Sequence, residues 1–410
     1  MSLNAGIRTA SGYWHPVAGL GTWFLRHLTS TLEHGYVTVV TPSGDRIEHR
    51  ASDSPLSATL LVHRWRAIRR LVTHGDVGFA AAYIDGDWST PDLTALIELV
   101  ARNVGQLGRR TSGLSPVRIL NRLRHLARAN TRAGSRHNIA FHYDLGNAFY
   151  RLWLDDSMTY SSAFYERADD TIEDAREAAL KRIVALLDLR GNDRVLEIGC
   201  GWGALAARLG RRGAHVTGVT LSAEQLAYGR ERIAGDGLDD RVSLALQDYR
   251  DVTGRYDRIV SIEMLEAVGE AYWPLYFQTL RDRLKPGGKA VLQAITVDEG
   301  LFESYRSSAD FIQRYIFPGG MLPTKTVIAE QARAAGLTLG SVATFGDSYA
   351  RTLSEWRQRF LASWSKIEAA GFPTHFRRLW EYYLCYCEAG FRARTIDVGL
   401  YVLSRASGPE

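Results

Sequence analysis

Residues 195–225 read VLEIGCGWGALAARLGRRGAHVTGVTLSAEQ. Apolar and small residues lead to an acid, Glu197, and then to Gly199-Cys200-Gly201-Trp202-Gly203, after which an Ala/Leu/Arg run has helical character. That order predicts a strand, a tight turn and a helix. Glycines gathered in such a turn let a ligand approach the backbone closely; a phosphate, a dinucleotide and a nucleoside are the candidates. A G-x-G-x-x-G dinucleotide motif needs a glycine at 204, where Ala204 stands, although alanine is sometimes accepted there. No Lys-Ser/Thr pair follows the loop, which argues against a nucleoside triphosphate. Glu197 ahead of the loop suits a ligand with a cationic amino-acid end and a nucleoside. Asp248, in LQDYRD at the end of a later strand, is a natural acceptor for an adenine amino group.

Working outward, RVLEIGCG, HVTGVTL, VSLALQD, YDRIVSIEML and KAVLQAITV read as short apolar strands. Helical spans such as 173–187 and 221–234 separate or precede them. The alternation predicts an α/β fold over 136–410, a doubly wound, mostly parallel sheet covered on both faces, with the glycine loop at the carboxyl end of the strand 194–198. Residues 1–105 predict a smaller α+β unit. There GYVTVVTPSGDRIEH reads as a hairpin, and ATLLVHRWRAIRRLVTHG as a helix stopping at Gly75. YIDGDWSTPDLTALIELVARN gives a turn and a helix capped by Ser89 or Thr90, with Pro91 in its first turn.

Residues 106–135 form a basic linker. From Arg109 to Arg136 there are eight arginines and no acid, with Ile119, Leu120, Leu123 and Leu126 interleaved. Such a stretch is expected to lie against an anionic membrane surface, a solvated linker being the plainer alternative. The missing aromatic interleaving disfavours nucleic acid. Three cysteines in 410 residues exclude a disulfide scaffold and fit a reducing compartment. No Cys/His cluster has zinc spacing, and His137 with His142 has the wrong spacing for one helix face, so no metal is expected. No charged n-region feeds an apolar h-region near residue 1, so no signal peptide is expected, and no run of 18 apolar residues predicts a membrane-spanning helix. The expectation is a cytoplasmic protein held peripherally at the inner face of the membrane.

Seven stretches occur in one order: RHNIAFHYDLGNAFYRLWLDDSMTYSSAFY, GVTLSAEQ, LQDYRD, YDRIVSIEMLEAVG, YIFPGGMLP, SYARTLSEW and CEAGFRARTIDVG. Together with the glycine loop they resemble the cyclopropane-fatty-acyl-phospholipid synthases, a family of class I S-adenosylmethionine-dependent methyltransferases. The resemblance is dense from Arg136 to about Leu403 and loose before residue 105, through GDVGFAAAYIDGDWSTPDL. It implies that the sulfonium methyl of S-adenosylmethionine passes to a cis double bond of an unsaturated phospholipid acyl chain. A bicarbonate ion then takes a proton from the resulting cation and a ring closes. A homodimer is compatible with it.

By the same resemblance Tyr160 and Ser161 touch the cofactor, Gly199, Gly201 and Gly203 form its loop, Thr220 and Gln225 contact its nucleoside and amino-acid parts, and Asp248 and Tyr249 lie on the adenine side. Glu266 matches the acid that holds bicarbonate, Tyr349 a tyrosine ligand of it and Ile295 a backbone ligand. The aromatics of FIQRYIFPGG would line an acyl tunnel. Two bicarbonate ligands depart from the family pattern: Ser162 stands for a cysteine and Gln293 for a histidine. Ala267 replaces a further histidine, and Glu263 adds a carboxylate where glycine is common. Glutamine cannot carry charge as histidine can, so Gln293 holds an anion more weakly, although both Ser162 and Gln293 can donate hydrogen bonds. Two expectations follow: bicarbonate binds in altered geometry, or Glu263 takes over part of the base role. The product is then a ring, or a methyl or methylene branch if a hydride shift precedes loss of the proton. A non-catalytic lipid-binding protein on a methyltransferase fold is the more distant alternative.

Overall fold

The computed structural model of the chain describes residues 16–51, 54–105 and 145–407. The arginine-rich segment, His137 and His142 lie outside them. Two compact units divide the chain, Met1–Gly113 and Leu114–Glu410.

In the first unit a four-stranded sheet has the order β2-β1-β3-β4. Its strands are β1 (Tyr36–Val40), β2 (Arg46–Arg50), β3 (Ser57–Val62) and β4 (Trp88–Ser89), accompanied by helices Pro16–Thr29, Arg66–Ile84 and Leu93–Arg102. β1 and β2 form the expected antiparallel hairpin. The helix expected from Ala58 onward does not begin there. Ala58, Leu60 and Val62 are buried in alternation, so this stretch is strand β3, paired in parallel with β1. Period two outweighed the helical character of the arginines that follow. Gly75 does interrupt the helix as expected: with φ 61 and ψ −140 it leaves the helical conformation, and a second helical stretch continues beyond it to Ile84. The later helix is capped by Asp92, which accepts from the Ala95 N–H at 2.9 Å, and not by Ser89 or Thr90.

The second unit holds the predicted α/β sheet. Its strands are β5 (Arg194–Ile198), β6 (His215–Thr220), β7 (Val242–Leu246), β8 (Tyr256–Ile262), β9 (Leu284–Val297), β10 (Leu337–Thr344) and β11 (Ile396–Arg405), in the order β10-β11-β9-β8-β5-β6-β7. Pairing from β9 through β7 is parallel, while β11 runs antiparallel to both β9 and β10. Val195, Leu196, Ile259, Val260, Ala290 and Val291 are fully buried, as strands covered on both faces require. Helices Ala204–Arg211 and Ala223–Gly235 pack on β6 and β7; Ile172–Leu187 packs on β8 and β9. The chain winds outward from β5 through β6 to β7, then crosses back to place β8 on the other side of β5. Ligands bind at such a reversal, beyond the carboxyl ends of the strands. The glycine loop follows β5 and Glu263 follows β8, so both stand there. Among the described residues no helix is long and apolar enough to cross a membrane.

Candidate active site

At the end of β5 the loop glycines take φ 81, 50 and 81 at residues 199, 201 and 203, a region glycine enters without penalty. The N–H groups of Gly199 and Cys200 both donate to the Val219 carbonyl, tying the loop to β6. A Cβ on Gly199 would stand 2.9 Å from the Met264 side chain. Glu197, the next-to-last residue of β5, is buried and its Oε2 has no hydrogen-bond partner among the described residues. Burial pushes its carboxyl up to about 8. An orphaned carboxylate of this kind is a place for an ammonium group.

β6 ends on Thr220, whose hydroxyl donates to Gln225 Oε1 at 3.0 Å. Ser222 caps the following helix by accepting from the Gln225 N–H at 3.2 Å. Asp248 follows β7. It is not a free acceptor: Arg250 grips it with Nε on Oδ1 at 2.8 Å and an NH2 group on Oδ2 at 2.6 Å. Oδ1 accepts from the Arg250 main-chain N–H as well, at 3.0 Å. The buried Tyr249 hydroxyl beside it has no hydrogen-bond partner among the described residues. Tyr160 shares a 2.7 Å hydrogen bond with the Tyr383 hydroxyl. The Ser161 carbonyl accepts from Arg176, whose Nε lies 3.2 Å from Asp155 in a fully buried ion pair. These residues fit a nucleoside with a cationic amino-acid tail: Glu197 would take the ammonium group, Asp248 and Tyr249 the base.

The second group of residues surrounds two carboxylates at the end of β8. Glu263 Oε1 accepts from the main-chain N–H of Ser162 at 2.8 Å and from Gln293 Nε2 at 2.7 Å. Its Oε2 accepts from the Tyr349 hydroxyl at 2.6 Å. The Ser162 hydroxyl turns away and donates to the Ala163 carbonyl at 2.8 Å. Glu266, in the one-turn helix Leu265–Val268, accepts from the Ile295 N–H through Oε1, and its Oε2 has no partner among the described residues. Burial, followed by the charge of Glu263, pushes the Glu266 carboxyl up to about 8, so it is neutral near pH 7. Burial raises Glu263 as well, but Tyr349, Ser162, Gln293 and the positive charge of Arg176 pull it back. Register supplies the geometry: Ile262 of β8 faces Gln293 of β9, and the Glu263 N–H donates to the Gln293 carbonyl at 2.8 Å. Aromatic rings close around the group. Phe391 stacks on Tyr349 at 4.6 Å, and Trp356 lies 5.1 Å from Tyr160.

All six residues expected around the base therefore gather in one place, but sorted into two sets. Glu263 joins Ser162, Gln293 and Tyr349; Glu266 joins Ile295. Sequence reasoning missed Arg176, Asp155 and Tyr383. Arg176 sits in a helix among ordinary surface charges, and nothing local marks it as the residue that holds the Ser161 carbonyl.

Comparison with known proteins adds the following. Residues 130–400 match the family model for mycolic acid cyclopropane synthetase. A tuberculostearic acid methyltransferase of Mycobacterium tuberculosis is 40% identical over 87% of this chain and 85% of its own. The cyclopropane-fatty-acyl-phospholipid synthase of Escherichia coli is 37% identical over 82% of this chain and 85% of its own. A mycolic acid cyclopropane synthase solved as a complex with SAH and CTAB superposes with a TM-score of 0.62 at 29% identity, covering 66% of this chain and 98% of the other.

Proposed function

The chain belongs to the mycolic acid cyclopropane synthetase family and is an S-adenosylmethionine-dependent methyltransferase; on that premise we propose that it methylates the cis double bond of an unsaturated acyl chain in a membrane phospholipid. The observation that carries this reading is the pair of inward carboxylates at the end of β8, placed at the same sheet reversal as the glycine loop and ringed by aromatics. An alkene is a poor nucleophile, so catalysis must come first from holding it in line with the methyl group. Orientation of that kind is worth roughly 7–11 kcal/mol. The cation that follows survives only where water is kept out. Tyr160, Tyr349, Trp356 and Phe391 present apolar ring surface there, and their π-faces favour a nearby positive charge.

When bound, S-adenosylmethionine supplies the electrophilic methyl group. The chain's own residues hold it: Glu197 receives the ammonium end, the loop after β5 admits the backbone contact, and Asp248 with Tyr249 receives the base. A phospholipid substrate does not leave the bilayer freely, so the enzyme must come to it. The arginine-rich segment 109–136 supports peripheral contact with an anionic surface.

Ring and branch are both compatible with this methyl transfer. The branch is favoured by Glu263, because a tethered carboxylate under three hydrogen bonds is a weaker and less mobile base. Slower proton removal gives a 1,2-hydride shift time to occur. Mass spectrometry of lipids from cells expressing the chain tests the reading. A gain of one CH2 on monounsaturated acyl chains supports it, and fragmentation separates ring from branch. Lipids identical to those of control cells would refute it.

A further inference from the structure

Glu263 occupies a backbone conformation that glutamate avoids. Its φ is 50, in the left-handed region that is strained for a side-chain-bearing residue. The conformation is fixed by the 2.8 Å hydrogen bond from the Glu263 N–H to the Gln293 carbonyl. What the strained backbone achieves is to turn a carboxylate inward onto three donors: the Ser162 N–H, Gln293 Nε2 and the Tyr349 hydroxyl. Such a cradle is built for an anion. An ionised carboxylate offers about four lone-pair directions and no donor. Here Oε1 fills two of them, and Oε2 accepts from Tyr349 alone, leaving one direction open to take a proton.

Ser162, Gln293 and Tyr349 are also three of the positions at which the family resemblance expects an external bicarbonate. A fourth, the Ile295 N–H, is taken by Glu266. The Ser162 hydroxyl is spent on the Ala163 carbonyl. The donors meant for bicarbonate are thus already engaged by this chain's own carboxylates, and a further anion would have to enter beside them. Bicarbonate does not fit.

We propose that Glu263 is the built-in replacement for that anion: its carboxylate is the proton acceptor of the reaction, and turnover needs no dissolved bicarbonate. The inference rests on the methyl-transfer reading above. In the step, the alkene π pair forms the bond to the methyl carbon as the carbon–sulfur bond breaks, its pair remaining on sulfur. Positive charge appears on the neighbouring alkene carbon. Glu263 takes a proton from the transferred methyl group. The released C–H pair closes the three-membered ring or, after a hydride shift, forms a methylene double bond. The positive charge of the sulfonium and the negative charge of the carboxylate disappear together, so the step is balanced.

The two carboxylates divide the work. Glu266, with one donor and an unpartnered oxygen, is held neutral near pH 7. A neutral acid cannot receive the proton. Glu263, with three donors and Arg176 in its field, has what favours a carboxylate against the upward pull of burial.

The test uses the full-length enzyme, S-adenosylmethionine and dioleoyl phosphatidylglycerol vesicles in carbonate-free buffer, with and without added bicarbonate. The wild-type rate should be the same in both. Glu263→Gln should lower it by about 10²–10⁴-fold, the range for loss of a general base, without response to bicarbonate, because the glutamine still fills the place. Glu263→Gly relieves the backbone strain and empties the cradle. It should be equally impaired in carbonate-free buffer and partly restored by bicarbonate. Calorimetric binding of S-adenosylhomocysteine confirms that each variant is folded. A wild-type rate that falls on removing carbonate, a Glu263→Gln enzyme at wild-type rate, or a folded Glu263→Gly enzyme indifferent to bicarbonate overturns the inference alone. A wild-type enzyme inert on every unsaturated phospholipid overturns the substrate reading, and this inference with it.

Discussion

Consider the binding of S-adenosylhomocysteine, which retains the amino-acid tail of the methyl donor, between about pH 6 and about pH 8. Glu197 is buried with one oxygen unpartnered, and in the free protein its carboxyl stands at about 8. Binding an ammonium group there requires the carboxylate, so below that value the ligand must expel a proton. Each pH unit below 8 then weakens affinity by up to tenfold, or about 1.4 kcal/mol. At about pH 6 the loss approaches a hundredfold, roughly 2.7 kcal/mol, and close to one proton is released per ligand bound. Isothermal calorimetry in two buffers of different ionisation enthalpy reads that proton directly. Glu197→Gln should remove both the proton release and the pH slope. A wild-type affinity that is flat across the range, or a Glu197→Gln variant with the wild-type slope, refutes the assignment. The same carboxyl sets a stability trend of opposite sign. Above the ordinary glutamate value of 4.5 the unfolded chain loses a proton that the folded, ligand-free protein keeps. Stability of the free enzyme therefore declines as pH rises from there to about 8, and Glu266 adds to the decline over the same window.

Tyr349→Phe removes the 2.6 Å hydrogen bond to Glu263 Oε2; kcat should fall by tenfold or more, since hydrogen bonds to charged groups are worth about 1.5–3 kcal/mol, while KM for vesicles holds, and an unchanged kcat would sever Tyr349 from the chemistry. Combining Glu263→Gly, Gln293→His and Ser162→Cys should rebuild an external-anion site, making turnover bicarbonate-dependent and raising the ratio of ring to branched acyl chains measured by gas chromatography with mass detection; an unchanged ratio would mean that these positions do not steer the proton. Arg176→Met strands the buried Asp155 and should cost about 3–5 kcal/mol in denaturant unfolding; a loss under 1 kcal/mol would show that the pair is not structural. Changing Arg118, Arg122 and Arg124 to glutamine should weaken binding to anionic vesicles and flatten its salt dependence, and sedimentation with vesicles that matches wild type would reduce the segment to a linker.

Much of the sheet could be read from the sequence because each parallel strand is a self-contained apolar run, and the residue following it is placed by that fact alone. Glu197, the loop glycines and Asp248 are singled out in this way, whereas Thr220 comes from the family resemblance. Misreadings arose where local signals competed. Ala58–Val62 reads as helix because of the arginines beyond it, and its period-two burial makes it a strand. What the sequence could not show were relations between distant segments. That Asp248 is gripped by Arg250 depends on side-chain geometry at a tight turn. That Ser162 serves through its N–H and not its hydroxyl depends on where residue 263 lies across more than a hundred positions of chain. Glu263 itself stood out only as an extra acid. Its surroundings come from the registry of β8 with β9 and from the helix bearing Tyr349.

The strained turn at Glu263 carries a physiological corollary. A dissolved anion exchanges with the medium, and its occupancy follows the inorganic carbon available to the cell. A side chain bonded to the backbone has an effective concentration set by geometry alone. An enzyme that works through Glu263 is thereby uncoupled from carbon dioxide tension and from whatever enzymes interconvert carbon dioxide and bicarbonate. It also loses what a mobile carrier provides. Bicarbonate can pick up a proton and diffuse away as carbonic acid, whereas Glu263 must hand its proton on from inside a crowded aromatic pocket before the next double bond can react, so deprotonating the enzyme becomes a step of the catalytic cycle in its own right.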